Sequence, residues 1–199
     1  MTQQPPTHAM WVDLETTGAD ENAGEVLEVG CVLTPLTPLA PELSRYSLVI
    51  RPAEQAWPLM MNEVVHGMHV DSGLLDEIHD GREPLTRVLV DKLLVAWRRA
   101  AAREVGASGP FVLAGSGVAH FDARWLRLHF PEFSRALTYY TLDVGVMRRA
   151  LDWADAGMPP YPLPETKAHR ALDDALDHLA EWRWYASHLQ NPCAWAGCS

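Results

Sequence analysis

The chain has 199 residues, of which 48% are hydrophobic and 21% charged, the composition of a soluble globular protein with one core rather than of a disordered or fibrous chain. Its formal charge of -10 argues against a surface that grips long nucleic acid by neutralising phosphates, although bound divalent cations would supply positive charge at a single site. No run reaches the roughly 18 consecutive apolar residues of a membrane span, and "MTQQPPTHAM" lacks the charged-then-apolar order of a signal peptide, so a cytoplasmic protein is expected.

In chain order, "AMWVDL" (9–14), "EVLEVGCVLTP" (25–35) and "RYSLVIRP" (45–52) read as three strands joined by turn-rich connections, hence an antiparallel meander. "EPLTRVLVDKLLVAWRRAAAREVG" (83–106) has apolar residues at helical spacing between Gly81 and Gly106 and predicts one long helix over a face of the sheet. "GPFVLAGSG" (109–117), a short apolar run bounded by glycines, predicts a central strand, and "AHFDARWLRLHF" (119–130) predicts an amphipathic helix ended by Pro131. "YYTLDVG" (139–145) and "VMRRALDWADAG" (146–157) repeat strand then helix. Past a proline-rich loop at 158–167, "HRALDDALDHLAEWRWYASHLQ" (169–190) is the last helix. This order predicts an α/β fold, a mixed sheet flanked by helices on both faces, in a single domain over 8–190 with tails at 1–7 and 191–199. Cys31, Cys193 and Cys198 form neither a disulfide framework nor a zinc-like spacing.

Asp13 and Glu15 stand two apart on the first strand, so both side chains leave one face near its end. Buried side by side, two carboxylates need cations, either Arg or Lys side chains or metal ions. A bare D-x-E is also common beside exposed turns, so the pair alone does not decide. Asp122, in "SGVAHFDARWL", opens the helix after the central strand, and Asp174, in "AHRALDDALDHL", follows His169 by five residues. Simple helical spacing pairs His169 with Asp173 instead.

Taken together, "DLETTG" (13–18), "HFDARWL" (120–126) and "HRALDDA" (169–175) resemble, in order and overall spacing, the three motifs of the DEDDh 3′-to-5′ exonuclease family. The resemblance implies a ribonuclease H-like fold with a mixed five-stranded sheet that gathers Asp13, Glu15, Asp122 and Asp174 at one end. It implies two Mg²⁺ or Mn²⁺ ions held by these four acids, since hard carboxylate oxygens select hard cations. It also implies His169 as general base for the attacking water, a task suited to a side chain that ordinarily titrates near neutrality. The family register takes Asp174, not Asp173, as the metal ligand.

Two subgroups of the family leave marks. "HVDSGL" (69–74), "FPEF" (130–133) and "YYTLDVG" resemble oligoribonucleases, which degrade RNA of two to a few nucleotides and send a Tyr into the neighbouring subunit's site. Tyr139 is the matching residue, and a homodimer is implied. "DLETTG", with Thr16 and Thr17, and "VVHGMH" (64–69) resemble proofreading exonucleases and ribonuclease T. Leu14, Thr16, Thr17 and His69 are the substrate contacts this resemblance suggests. Where oligoribonucleases pinch a dinucleotide between a Leu and a Trp, this chain has Ala19 and Val64, and lost stacking is worth about 1–3 kcal/mol per base. Trp57 is expected to stack by another route, and "AGSGVAHFD" (114–122) has one residue more between its glycine and Asp122 than the oligoribonuclease pattern, so the Ser and His contacts that cap the 5′ phosphate in that group are expected to be altered here.

The resulting expectation is a metal-dependent exonuclease that releases nucleoside 5′-monophosphates from short single-stranded RNA. The alternative is a 3′-to-5′ exonuclease that proofreads or trims single-stranded DNA or RNA ends. A catalytically silent binding module would not need four acids together with His169.

Overall fold

The computed structural model describes residues 5–163 and 167–190; Cys193, Cys198 and the tail expected at 191–199 lie outside the described residues. Strands β1 (His8–Thr16), β2 (Val26–Pro35) and β3 (Ser44–Val49) form the expected antiparallel meander. Strand β4 (Phe111–Gly115) adds parallel to β1, and β5 (Leu137–Asp143) adds parallel to β4, giving one mixed sheet in the order β3-β2-β1-β4-β5.

Strand β1 is central, so both its faces are covered, and its alternation decides what each face meets. Met10, Val12 and Leu14 join a core completed by Val90 and Leu94 of α3 (Arg87–Glu104) and by Trp125 and Leu126 of α4 (Asp122–His129). Ala9 and Trp11 point the other way, into a core with Val144 of α6 (Val144–Trp153) and Ala175 and Leu179 of α7 (Ala171–Gln190). The same period carries Asp13 and Glu15 onto the α7 side.

Helix α7 can lie close to the sheet because Gly30, paired with Asp13 across the β1–β2 register, has no side chain. A Cβ there would come within 2.2 Å of the Ala171 backbone. Glu28, two residues earlier on the same face of β2, accepts a hydrogen bond from the Ala171 amide at 2.9 Å and so caps the first turn of α7. Arg170 pairs with the buried Glu28 at 3.0 Å and with Glu77 at 2.7 Å, tying the start of α7 to two other elements. Two features differ from the sequence expectation. Between 53 and 82, where the sequence shows no periodic run, lie a 3₁₀ turn (Trp57–Met60) and two short helices, α1 (Glu63–Asp71) and α2 (Leu74–His79), of which the turn and α2 pack on Leu27 and Val49. The long helix starts four residues late, where the Thr86 side chain caps it by accepting from the Leu89 amide. A four-residue helix, α5 (Pro131–Ser134), follows α4. Among the described residues no helix is long and apolar enough to cross a membrane.

Candidate active site

The end of β1, the start of α4 and the first turn of α7 converge on a cleft of about 380 Å³ lined by Asp13, Glu15, Asp122, Asp174 and His169. Each acid arrives by a different local rule. Asp13 and Glu15 come from strand alternation. Asp122 is the first residue of α4, and the loop before it is held by Asp143, whose carboxylate caps α6 and accepts from the amides of Gly117 and Ala119. Asp174 is in the first turn of α7, whose place is set by Gly30, Glu28 and Arg170.

The cleft is crowded with like charge. Burial, then the neighbouring Asp122, Asp174 and Glu15 carboxylates, push Asp13 well above the usual carboxylate range. Burial, followed by the Asp174 and Glu28 charges, raises Glu15 to about 8, and burial raises Asp122 to about 7 against the pull of its hydrogen bonds to the backbone of Asp122 and Leu14. Asp174 is also raised, chiefly by burial, with Lys167 opposing. One Asp122 carboxylate oxygen is buried without a hydrogen-bond partner. Ligand atoms of Glu15, His169 and Asp174 all lie within 4.8 Å of one another. An orphaned oxygen among clustered carboxylates is the donor set that a hard divalent cation satisfies, so these residues fit a metal.

His69 donates from Nε2 to the Thr16 carbonyl at 2.8 Å, which leaves its buried Nδ1 facing Glu15 at 3.7 Å. His178, one turn beyond Asp174, sits 3.9 Å from Asp13, and burial lowers its pKa to about 4, so its ring is neutral. His169 holds a left-handed backbone, φ 49°, immediately before Arg170.

Of the expected substrate contacts, Leu14, Thr16 and His69 line the cleft, as does Ala19. Thr17 does not, because its buried hydroxyl accepts from the Glu25 amide at 2.9 Å and closes the turn after β1. Trp57 is a correction. It is 4% exposed, packed in the cluster beneath α2 and stacked on His79, and a ring so enclosed presents no face to a base. Val64 points to solvent, while Val65 and Met68 from the same helix wall the cleft. Tyr139 is 94% exposed and four residues before Asp143 on β5, toward the opposite end of the strand. Sequence reasoning missed Phe121 and Lys167, which also line the cleft, together with the Glu28–Arg170–Glu77 link and His178. A signal for the link was present, since Glu28 interrupts the apolar run of β2 and Arg170 lies inside "HRALDDA".

No family model matches the chain. An oligoribonuclease from Tropheryma whipplei (strain Twist) is 30% identical over 185 residues, covering 92% of this chain and 94% of that protein. One from Leifsonia xyli subsp. xyli (strain CTCB07) is 32% identical over 180 residues, covering 88% and 81%. Among solved structures, the zinc-bound E. coli ExoI–ssDNA complex superposes with a TM-score of 0.64 at 12% identity, over 94% of this chain and 42% of that one, which is a likeness of fold. Identity of this extent over almost the full length of both partners, on a sheet that brings the expected acids into one cleft, establishes that the chain belongs to the oligoribonuclease family of 3′-to-5′ exonucleases.

Proposed function

We propose that the protein removes nucleoside 5′-monophosphates from the 3′ end of short single-stranded RNA, using two Mg²⁺ or Mn²⁺ ions held by Asp13, Glu15, Asp122 and Asp174. The observation that carries this reading is the convergence of four raised carboxylates and His169 in one cleft, of a size suited to a small ligand rather than a long strand. Bound there, the ions would lower the pKa of the attacking water and stabilise the departing 3′ oxygen. His169, at the rim of the cleft, takes the proton from that water. Leu14, Val65, Met68 and Phe121 form apolar walls for the terminal base, and Phe121 supplies the aromatic face absent at Ala19 and Val64. Thr16 turns its hydroxyl to the Gly18 carbonyl at 2.7 Å and keeps the chain tight where the sugar would lie.

The test is product analysis on matched RNA and DNA 2-mers, 5-mers and 20-mers. Short RNA is expected to be converted to 5′-monophosphates fastest, only with divalent cation, and not at all by Asp13→Ala. A flat length profile would replace this reading with the trimming one, and turnover in excess chelator would end the metal assignment.

A homodimer sharing its sites is supported by Tyr139. It lies within a bulge of the edge strand, where the β4–β5 register shifts between Phe111 and Leu113, and it is exposed to solvent and outside the lining of its own cleft. A two-fold interface would deliver one such hydroxyl to each site. Mixing inactive Asp122→Ala with Tyr139→Phe is expected to restore part of the activity, since heterodimers hold one complete site. A fully active monomer would return Tyr139 to being a surface aromatic.

A further inference from the structure

Helix α7 turns a second functional side chain toward the acids. His178 follows Asp174 by four residues, so the two share a face of the helix, and it is 7% exposed. Its Nδ1 is buried with no hydrogen-bond partner and faces Oδ1 of Asp13 at 3.9 Å. Behind the ring is a separate cavity of about 100 Å³, bordered by Arg148 of α6, Asp177 and Glu181 of α7, and Lys167 and Tyr161 from the preceding loop. Arg148 is spent on Glu181, at 3.0 Å. The carboxylates around Asp13 only accept hydrogen bonds once ionised, so a donor for its outer oxygen must come from another kind of side chain.

We propose that His178 is a positioning residue for the metal centre: its ring donates from Nδ1 to Oδ1 of Asp13 and so aims the other carboxylate oxygen at the metal. The proposal rests on the reading of Asp13 as a metal ligand. The 3.9 Å gap exceeds a hydrogen bond, but the torsion that swings a carboxylate is broad and soft, and a small rotation of Asp13 closes it. Carboxylate ligands are themselves held by hydrogen bonds, and loss of such a partner typically lowers metal affinity by about 10- to 100-fold.

The experiment is Mn²⁺ titration of the substrate-free protein, followed by electron paramagnetic resonance, for the wild type and for H178N, H178Q, H178L and D13N. Asparagine puts an N–H donor where Nδ1 stood, glutamine moves it one bond outward, and leucine removes it. H178N is expected to bind Mn²⁺ within about threefold of the wild type, while H178Q and H178L weaken by about 10- to 100-fold and unfold at temperatures close to the wild type in chelator. Unchanged affinity in H178L, or equal weakening in H178N and H178L, would overturn the role of His178. Unchanged affinity in D13N would instead show that Asp13 is not a ligand, and would remove the proposal together with the reading beneath it.

Discussion

His169 is held in a conformation that costs a non-glycine residue on the order of 1–3 kcal/mol, and it keeps it because Arg170 beside it is fixed by two carboxylates. That backbone explains which aspartate reaches the cleft. Helix α7 begins at Ala171, so His169 lies outside it and the helical i, i+4 rule does not run from His169 to Asp173. Asp173 faces solvent and Asp174 is buried in the cleft. The ambiguity was therefore not resolvable from periodicity, because the positive φ that breaks it leaves no mark on a histidine's place in a sequence. His169→Ala is expected to lower kcat by about 10²–10⁴ with little change in KM, as for a lost general base. Steady-state kinetics on a short RNA measures this, and a defect confined to KM would mean that His169 binds rather than abstracts.

Among the elements, those with long apolar periods were legible: β1, β2, α3 and α7 fall where alternation and helical spacing place them. The helices α1 and α2 were not, since nine and six residues carry too few apolar positions to set a period, and Gly67 interrupts the first. The first matters because it brings Val65, Met68 and His69 to the cleft. Contact between α7 and β2 was also hidden, as a glycine inside a strand signals close approach without naming what approaches. Gly30→Ala puts a methyl group into the Ala171 backbone and is expected to cost at least about 1–3 kcal/mol while shifting Asp174 away from Asp13. Denaturant unfolding together with activity checks it; a variant as stable and active as the wild type would show that α7 does not rest on that strand.

For the whole molecule, the crowded acids set how stability responds to pH. In the folded chain Glu15 titrates at about 8 and Asp122 at about 7, whereas unfolding returns both to the ordinary carboxylate range. Between about pH 6.5 and 8 the folded state therefore holds protons that the unfolded chain has released and stability falls as pH rises, whereas below about pH 6.5 His178, lowered to about 4 on folding, pulls the other way. In chelator the Tm is expected to be higher near pH 6.5 than near pH 8.5, and saturating Mg²⁺ should remove most of the difference by stabilising the ionised acids. Melting curves with and without the ion test this, and a metal-free profile that rises with pH would contradict it. The pairing of β1 with α7 across the sheet has a further consequence, for the time before the chain is complete. Asp13 and Glu15 leave the ribosome early, whereas Asp174 comes from the first turn of the last described helix and His169 from the residues just before it. For most of its own translation the growing polypeptide lacks two of the five side chains that the proposed hydrolysis would use, so the messenger being read would lie beside a nuclease that does not yet exist.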